Sequence, residues 1–585
     1  MIKVYPFFLF LLCLAFGNKA FGQIQNSWFQ DSTLSFNHYF HSASPEGGFM
    51  ALHHSNYHQR LIRLDEIHLS PNYYLPFYQE TRINPPAFND NIPEARSEIR
   101  FLAGYSEQQW VEVDHQQKMK DWTLVGQYYG NKSLGLLSNQ GLNHQDLGLG
   151  VERKVRKLWR ISARGRFAKW EDKVNGGLTN DTVSESIGRV QSNLFPVKLT
   201  SAEQKKQEFE LRASVQRNFD PVYSQDSIPK LLRYKGEFFL DGFRSRKART
   251  YSDLNPLSTY YSEVLLDSSI TLDSISFVDQ GIQYGLTYQV DTNISYTLYG
   301  KSGQHKTHSY IGESHKGYFR LGGSLRYNPD FARAWIKGEY TPTGSQSGDY
   351  SFQTIVAKPI HPSSEFFLEI KASRTSPNTL YSRYWSNHYF WQERVEPVKR
   401  QELKLGYRIQ EIELSLFNIG EENALYLDSS TTWKVEKTRQ IFGAELKGGH
   451  SLGKFDFHHY FLYRQSSRES LPLPSFTLRE VVRYNMNLFP AQAPVQIGLD
   501  GYYFSAYYAQ DYNPVLDRFV NQYETKYGGF IRLDAFLAMQ VKTLRILLRL
   551  ENAGYGVINN EVLYAPNSML TPRNIRLGLV WRFLN

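Results

Sequence analysis

Strict alternation of apolar and polar residues is the feature that most constrains how this chain can fold. Between residues 159 and 167 the odd positions carry Trp, Ile, Ala, Gly and Phe, whereas the even positions carry Arg, Ser, Arg and Arg. A period of two is that of a β-strand, whose successive side chains point to opposite faces. One face is apolar and the other cationic, so the two faces are expected to meet different surroundings.

The same alternation recurs as hairpins along the chain. Residues 282–298, 402–416 and 531–551 each contain two alternating runs, joined by short polar turns at 291–293, 410–411 and 542–543. Between Ile99 and Phe583 we count roughly 22 candidate strands, so an even number of roughly 18–22 is predicted.

Composition narrows the fold class further. Beyond the first 22 residues no run of 18 apolar residues occurs, so no transmembrane helix is expected. Aromatic residues make up 15% of the chain, too many for a disordered protein. The net charge of +9 is modest for 585 residues, so a nucleic-acid partner is not expected.

The connections between strands come in two sizes. Short turns such as 291–293 and 328–330 alternate with long polar segments at 168–208, 241–280, 374–399 and 504–526. Aromatic residues recur at the ends of the apolar rows, as at Trp159, Phe167, Tyr407, Tyr484 and Phe489. A β-sandwich or propeller would also alternate, but its apolar face would be an aliphatic core. Aromatic girdles instead favour an all-β fold, a single large transmembrane antiparallel β-barrel with short periplasmic turns and long extracellular loops.

The first 22 residues have the pattern of a secretory signal peptide. Lys3 precedes an apolar core at 4–16, and cleavage is expected before Gln23. Cys13, the only cysteine, lies in this segment, so no disulfide or cysteine metal site is expected in the mature protein. Residues 23–95 would then form a periplasmic tail, a small plug or extra strands, and residues 96–585 the barrel.

The carboxyl end carries the most specific local pattern. Residues 574–583 alternate strictly and end on the aromatic pair Trp581 and Phe583. This pattern looks like the terminal strand that the outer-membrane barrel assembly machinery recognises, so these two aromatics are candidate assembly signals.

Short sequence pieces spread over the chain resemble the putative porin family of Bacteroidota outer membranes. The pieces are Thr81-Arg82-Ile83, Ile92-Pro93-Glu94, Ile99-Arg100-Phe101, Gly104-Tyr105, Glu107-Gln108-Gln109, His115-Gln116-Gln117, Trp122-Thr123-Leu124, Ser133-Leu134-Gly135, Ser138-Asn139-Gln140, Asn175-Gly176-Gly177, residues 574–579 and Trp581-Arg582-Phe583. None is a catalytic signature. The resemblance implies an outer-membrane β-barrel and suggests diffusive transport.

If the chain is a barrel, the polar positions of its clearest alternating strands are expected to line the lumen. The pore-lining candidates are Arg160, Arg164, Arg166, Arg212, Arg320, Arg326, Arg532, Arg545 and Arg549. An excess of inward cations would favour anions. The alternative is that inward Arg and Glu side chains pair across strands, which stabilises the wall without selecting between solutes.

Other chemical constellations are sparse. His305, His308 and His315 are spaced so that they could meet a metal, but we assign them to a polar loop, and no cofactor or metal is predicted. Tyr502, Tyr503, Tyr507 and Tyr508 could stack on sugars as loop aromatics, or belong to the girdle and to loop packing. A lipid hydrolase on a barrel would need a nucleophile within reach of a base, which the sequence does not show, so no enzyme is predicted.

The sequence thus predicts a porin-like channel of the bacterial outer membrane for small polar solutes, including anions. Its expected partners are outer-membrane lipid, the barrel assembly machinery and the solutes. The alternatives are a ligand-specific uptake receptor and a non-conducting structural barrel.

Overall fold

The computed structural model describes residues 49–50, 62–63, 88, 95–104, 107–156, 158–179, 194–223, 231–487, 494–558, 563–570 and 573–584. The predicted signal peptide lies outside the described residues. So does most of the predicted segment 23–95, of which the structure shows Phe88 and a short antiparallel pair, Phe49–Met50 with Ile62–Arg63.

Twenty-two antiparallel strands form one closed barrel, which confirms the predicted fold class and strand number. In chain order they are β1 Ala95–Gly104, β2 Gln108–Met119, β3 Trp122–Ser133, β4 Leu142–Val155, β5 Trp159–Val174, β6 Ala202–Tyr223, β7 Leu231–Asp253, β8 Thr271–Gln289, β9 Ile294–Ser309, β10 Gly312–Tyr327, β11 Arg333–Gly344, β12 Tyr350–His361, β13 Ser364–Thr375, β14 Val398–Ile409, β15 Ile412–Leu427, β16 Trp433–Leu452, β17 Phe455–Ser466, β18 Phe476–Asn487, β19 Pro494–Phe504, β20 Ile531–Val541, β21 Leu544–Glu551 and β22 Asn574–Leu584.

Smaller elements lie in the connections between barrel strands. Helix α1 spans Thr379–Ser382, and short strand pairs join Arg383–Trp385 to Phe390–Gln392, Asp511–Asn513 to Arg518–Val520, and Leu563–Ala565 to Ser568–Met569. No helix in the described part of the chain is long and apolar enough to cross a membrane.

The barrel closes where β22 pairs with both β21 and β1. Across this seam Glu98 lies opposite Arg582, and the Arg582 Nε donates to Glu98 at 3.0 Å. Glu98 also pairs with Arg96 and Arg100, and only 1% of it is exposed. A buried carboxylate therefore joins cations from both sides of the seam.

The wall is apolar outside and charged inside, the reverse of a soluble β-protein. On β5, Ile161 and Phe167 are 47% and 48% exposed, whereas Arg166 on the other parity is 3% exposed. The same contrast separates exposed Leu403 and Leu405 from buried Arg400 and Glu402 on β14. Apolar side chains on this outer surface need a hydrocarbon environment, as expected from the sequence alternation.

The two ends of the barrel differ in the length of their connections. Two of the predicted loops are shorter than the sequence pattern indicates. Strands extend into segments 168–208 and 241–280 from both sides, because β5 continues to Val174, β6 begins at Ala202, β7 continues to Asp253 and β8 begins at Thr271. The apolar alternation stops along these extensions while the ladder pairing continues, as between Lys173 and Glu203. The remaining long connections, including 376–397 and 505–530, lie at the same end of the barrel and confirm the predicted asymmetry.

Candidate functional site

The interior of the barrel is lined by charged side chains that pair with one another on β18–β22. Arg479 bonds Asp500 at 2.9 Å, and Arg549 reaches the same carboxylate at 3.0 Å. Arg549 and Arg532 both pair with Asp534, which is fully buried. Continuous ion pairing of this kind holds adjacent strands together and leaves little free charge in this sector.

All nine pore-lining candidates lie on the inward parity of their strands, and they fall into two groups. Arg166, Arg532, Arg545 and Arg549 are between 2% and 7% exposed and bond to neighbouring polar groups. The other five are at least partly exposed to the interior: Arg160, Arg164, Arg212, Arg320 and Arg326. Whether any of them lines a conducting pore stays a prediction.

Several exposed members of this set still have partners. Arg212 pairs with Asp241 at 2.9 Å, and the Arg164 guanidinium lies 5.2 Å from the centre of the Phe88 ring. Phe88 thus lies against the inner wall, although it precedes β1. Cross-strand pairing therefore accounts for much of the arginine lining.

The connection between β19 and β20, residues 505–530, folds across the lumen and is called the crossing loop here. Its hairpin of Asp511–Asn513 and Arg518–Val520 reaches strands on the other side of the barrel. Lys206 on β6 pairs with Asp517 at 2.7 Å, and Arg249 on β7 donates to the Pro514 carbonyl. The crossing loop therefore occupies the interior at the long-loop end.

Asp517 is the electrostatic anchor of the crossing loop. It is fully buried, and its carboxylate meets Lys206, Arg249 at 4.0 Å and the Tyr512 hydroxyl, which donates to it. Burial alone would raise the pKa of Asp517, but the charges of Lys206 and Arg249 outweigh it and hold the pKa below its usual range. The carboxylate is therefore ionised at neutral pH.

Apolar side chains at the tip of the crossing loop complete the contact. Val515 is 1% exposed and packs in a cluster with Val174, Leu199 and Tyr251. Leu516 and Val520 pack in a second cluster with residues of β8, α1 and β15. The tip is thus inserted between two sectors of the wall.

Beside the crossing loop, the inner faces of β7–β14 leave a cavity of about 520 Å³. Its lining is rich in hydroxyl groups and is completed by charged and aromatic side chains: Ser245, Lys247, Phe277, Asp279, His305, Thr307, Ser314, Lys316, Arg320, Glu339, Thr341, Ser345, Gln346, Asp349, Tyr350, Ser351, Ser373, Thr375, Ser376, Pro377, Asn378, Thr379 and Arg400. Volumes of this size accommodate small organic solutes.

The carboxylates of the cavity are engaged by neighbouring groups. Asp279 accepts from the Tyr318 hydroxyl at 2.9 Å, and Glu339 accepts from the Tyr299 hydroxyl. Asp349 pairs with Arg374 at 3.1 Å, and burial raises the pKa of Asp349 despite this partner. The negative charge of the lining is therefore largely satisfied within the wall.

One lining cation has no carboxylate partner in the part of the chain that the structure describes. Lys316 is exposed, and no carboxylate of the described residues lies within 4 Å of its ammonium group. Arg320 is only loosely held, at 3.5 Å from Glu339 and 3.2 Å from the Gln346 amide oxygen. These two side chains leave positive charge facing the cavity.

The histidines predicted to lie in a loop lie on strands β9 and β10 instead. His305 faces inward, 3.2 Å from Asp279, and stacks between Phe277 and Tyr318 with ring centres 5.4 and 4.5 Å away. The other two face outward and flank Glu313 at 3.3 and 3.2 Å. The ladder pairing of β9 with β10 extends beyond the apolar alternation, which is why the sequence pattern missed these strand ends.

The candidate aromatics fall into different environments. Tyr502 and Tyr503 belong to β19 and not to a loop, whereas Tyr507 and Tyr508 lie in the crossing loop. Tyr502 is 4% exposed and faces inward beside Arg532, at 5.3 Å. Trp581 and Phe583 point outward on β22, 48% and 37% exposed, with ring centres 4.5 Å apart.

Two short sequence motifs, residues 133–140 and 175–177, lie together at one corner of the long-loop end. The Asn139 amide donates to the carbonyls of Val174, Leu199 and Ala202 at 2.7, 3.3 and 3.1 Å. The Gln140 side chain accepts from two backbone amides of its own loop, at 2.9 Å each. Gly177 has φ +87°, a backbone conformation that favours glycine. The motifs 133–140 and 175–177 thus join two connections of the barrel.

The crossing-loop contacts and Lys316 were absent from the sequence prediction. Asp517 gives no local signal, because its cationic partners, Lys206 and Arg249, are far away in the chain. Lys316 could have been found, because Ser314, Lys316, Tyr318 and Arg320 share one strand parity.

Solved structures with a similar fold are bacterial receptors and transporters. The siderophore receptor PirA from Acinetobacter baumannii is 8% identical with a TM-score of 0.59, covering 85% of this chain and 81% of that one. The FrpB iron transporter from Neisseria meningitidis is 10% identical with a TM-score of 0.59, covering 84% and 82%. The ferric-catecholate import receptor Fiu from E. coli K12 is 11% identical with a TM-score of 0.58, covering 84% and 82%. At these identities the likeness shows the fold alone.

No curated protein matches the sequence. The family model described as "Putative porin" matches residues 97–585, which include all but the first two residues of the closed barrel. The match is consistent with the outer-membrane-type barrel and its apolar outer wall. The chain therefore belongs to the putative porin family.

Proposed function

We propose that this protein is a porin-like channel of the bacterial outer membrane through which small polar solutes, anions among them, diffuse. The observation that carries the proposal is the cavity on the lumen side of β7–β14, lined by hydroxyl groups and the free ammonium of Lys316. Hydroxyl groups can replace part of the water around a polar solute, and an inward cation attracts anions.

The charge distribution supports a path on this side of the lumen. The opposite sector, β18–β22, holds buried and mutually paired charges such as Arg549 with Asp500 and Asp534. A solute entering that sector would have to displace strong ion pairs. Along β7–β14 it would meet exposed polar groups.

Planar-bilayer recording of the refolded full chain tests the proposal. We expect discrete current steps and, in asymmetric KCl, a reversal potential that favours chloride. Lys316→Glu should lower the chloride preference by up to about 30-fold, since it changes the charge by two units and each unit contributes about 1 kcal/mol in a hydrated site. Slower migration of boiled than of unboiled protein should show that the variant folds.

Lys306→Glu is the matched control. In the register of β9 with β10, Lys306 lies opposite His315, and the preceding residue, His305, lies opposite Lys316. The two lysines therefore lie at the same height, on opposite faces of the wall. Equal effects of the two substitutions, or an unchanged reversal potential in Lys316→Glu, would contradict a path beside Lys316.

Ligand-specific uptake is the second candidate, favoured by the crossing loop. A loop anchored by Asp517 across the lumen would limit free diffusion and would have to move for a solute to pass. That function predicts a folded barrel without current steps that retains one class of solute. A non-conducting structural barrel predicts neither current nor retention.

A further inference from the structure

Three cations form an ordered row on the outer surface of the wall. Arg244 and Arg246 lie on β7, and Lys306 lies on β9, with β8 between them. Val278 of β8 is in register with both Arg246 and Lys306, so these two side chains start about 10 Å apart, two strand spacings. Arg244 is two residues from Arg246, a distance of about 7 Å along the strand.

The cation row lies at the edge of the apolar belt, on the side of the long loops. Phe238 and Leu240 precede it on the outward parity of β7 and are 49% and 51% exposed. On β8 and β9 the belt continues with Ile282 and Leu298, which are 49% and 56% exposed. Arg244 and Arg246 are themselves exposed. The row is thus positioned above the hydrocarbon of one leaflet.

Among the described residues the cation row has no ion-pair partner, unlike neighbouring cations on the outer surface. On β5 and β6, Lys169 pairs with Glu171 at 2.8 Å, and Glu203 pairs with both Lys173 and Lys205 at 3.1 and 2.6 Å. No carboxylate of the described residues lies within 4 Å of the charged groups of Arg244, Arg246 or Lys306. Their ladder neighbours include Phe209, Leu211 and Val278.

We propose that Arg244, Arg246 and Lys306 bind the phosphate groups of a phosphorylated lipid in the outer leaflet. Two guanidinium groups can each donate a pair of hydrogen bonds to phosphate oxygens, and the ammonium adds a point charge. The acyl chains of the same lipid would lie against the apolar belt below, which a free phosphate cannot use. The site does not depend on conduction, because a sealed barrel would carry it equally.

Binding of a phosphorylated diglucosamine lipid to the full chain in detergent, measured by native mass spectrometry, tests the site. Replacing each cation by glutamine should weaken binding about fivefold, and the triple variant about a hundredfold, since each cation near an anionic lipid surface contributes about equally. Removing the phosphates from the lipid should have an effect on wild type as large as the triple variant.

Lys316→Gln is the matched control and should bind the lipid as wild type does, because Lys316 faces the lumen. Unboiled electrophoresis should show that the triple variant remains a folded barrel. Equal binding of the triple variant and wild type, or equal binding of the dephosphorylated lipid, would overturn the proposal. Displacement of the lipid by inorganic phosphate at the same concentration would overturn it as well.

Discussion

Replacing Asp517 by asparagine should loosen the crossing loop and increase ion flow through the barrel. Asparagine keeps the size of the side chain but removes the charge that faces Lys206 and Arg249, which are 5% and 2% exposed. Removing one partner of a buried ion pair costs about 3–5 kcal/mol. The balance between docked and undocked loop should therefore shift by about a hundredfold to several-thousandfold.

The apolar anchors decide how far the loop opens. Burial of Val515, Leu516 and Val520 contributes about 5–9 kcal/mol in total, at about 1.5–3 kcal/mol for each aliphatic side chain. The lost ion pair is thus smaller than the remaining apolar contact. We expect Asp517→Asn to produce brief, frequent openings to a larger conductance, and Asp517→Asn with Val515→Ser to prolong them.

Single-channel recording of reconstituted protein measures the openings, and limited proteolysis measures how often the crossing loop is undocked. Asp428→Asn is the control, because Asp428 bonds Ser430 and Thr432 within its own turn. Adding Lys206→Met to Asp517→Asn should restore part of the wild-type behaviour, because it removes a buried cation whose ion pair with Asp517 has been lost. Wild-type conductance in Asp517→Asn, despite faster cleavage within 505–530, would show that the crossing loop does not control the path.

Three further predictions concern pH, the barrel seam and the loop corner. Because the pKa of Asp517 is depressed in the folded state, its contribution to loop docking is present above its unfolded-state pKa of about 3.9 and is lost as the pH falls through the lower folded value. Conductance should therefore stay constant from neutral pH to about pH 4 and rise below it, and Asp517→Asn should lack this rise; a rise that persists in the variant would assign it to other groups. Glu98→Gln should lower the free energy of unfolding by about 1–3 kcal/mol, because it removes the buried carboxylate that accepts from Arg582 across the seam; urea unfolding followed by tryptophan fluorescence measures this loss, and an unchanged midpoint would contradict it. Asn139→Ala should cost about 1–3 kcal/mol of local stability, because its hydrogen bonds to three carbonyls are lost. Amide exchange at residues 194–202 should become faster while the barrel stays intact. Unchanged exchange would show that these hydrogen bonds do not hold the two connections together.

The predicted barrel follows from local alternation, which each strand carries within its own residues. Trp159 to Phe167 shows which face meets lipid and which meets the interior, and the exposures agree. The signal weakens where β5–β10 extend beyond the apolar belt. There the ladder pairing continues with polar residues on both faces. The sequence pattern therefore predicts a loop at His305 and at the strand ends around Thr250.

The sequence by itself determined an inside-out barrel of about twenty strands with an arginine-rich interior. Only the tertiary structure decided which arginines are neutralised, where the cavity lies, and that residues 505–530 fold across the lumen. Those features depend on contacts between residues far apart in the chain, such as Asp517 with Lys206, and alternation within one strand carries no information about them.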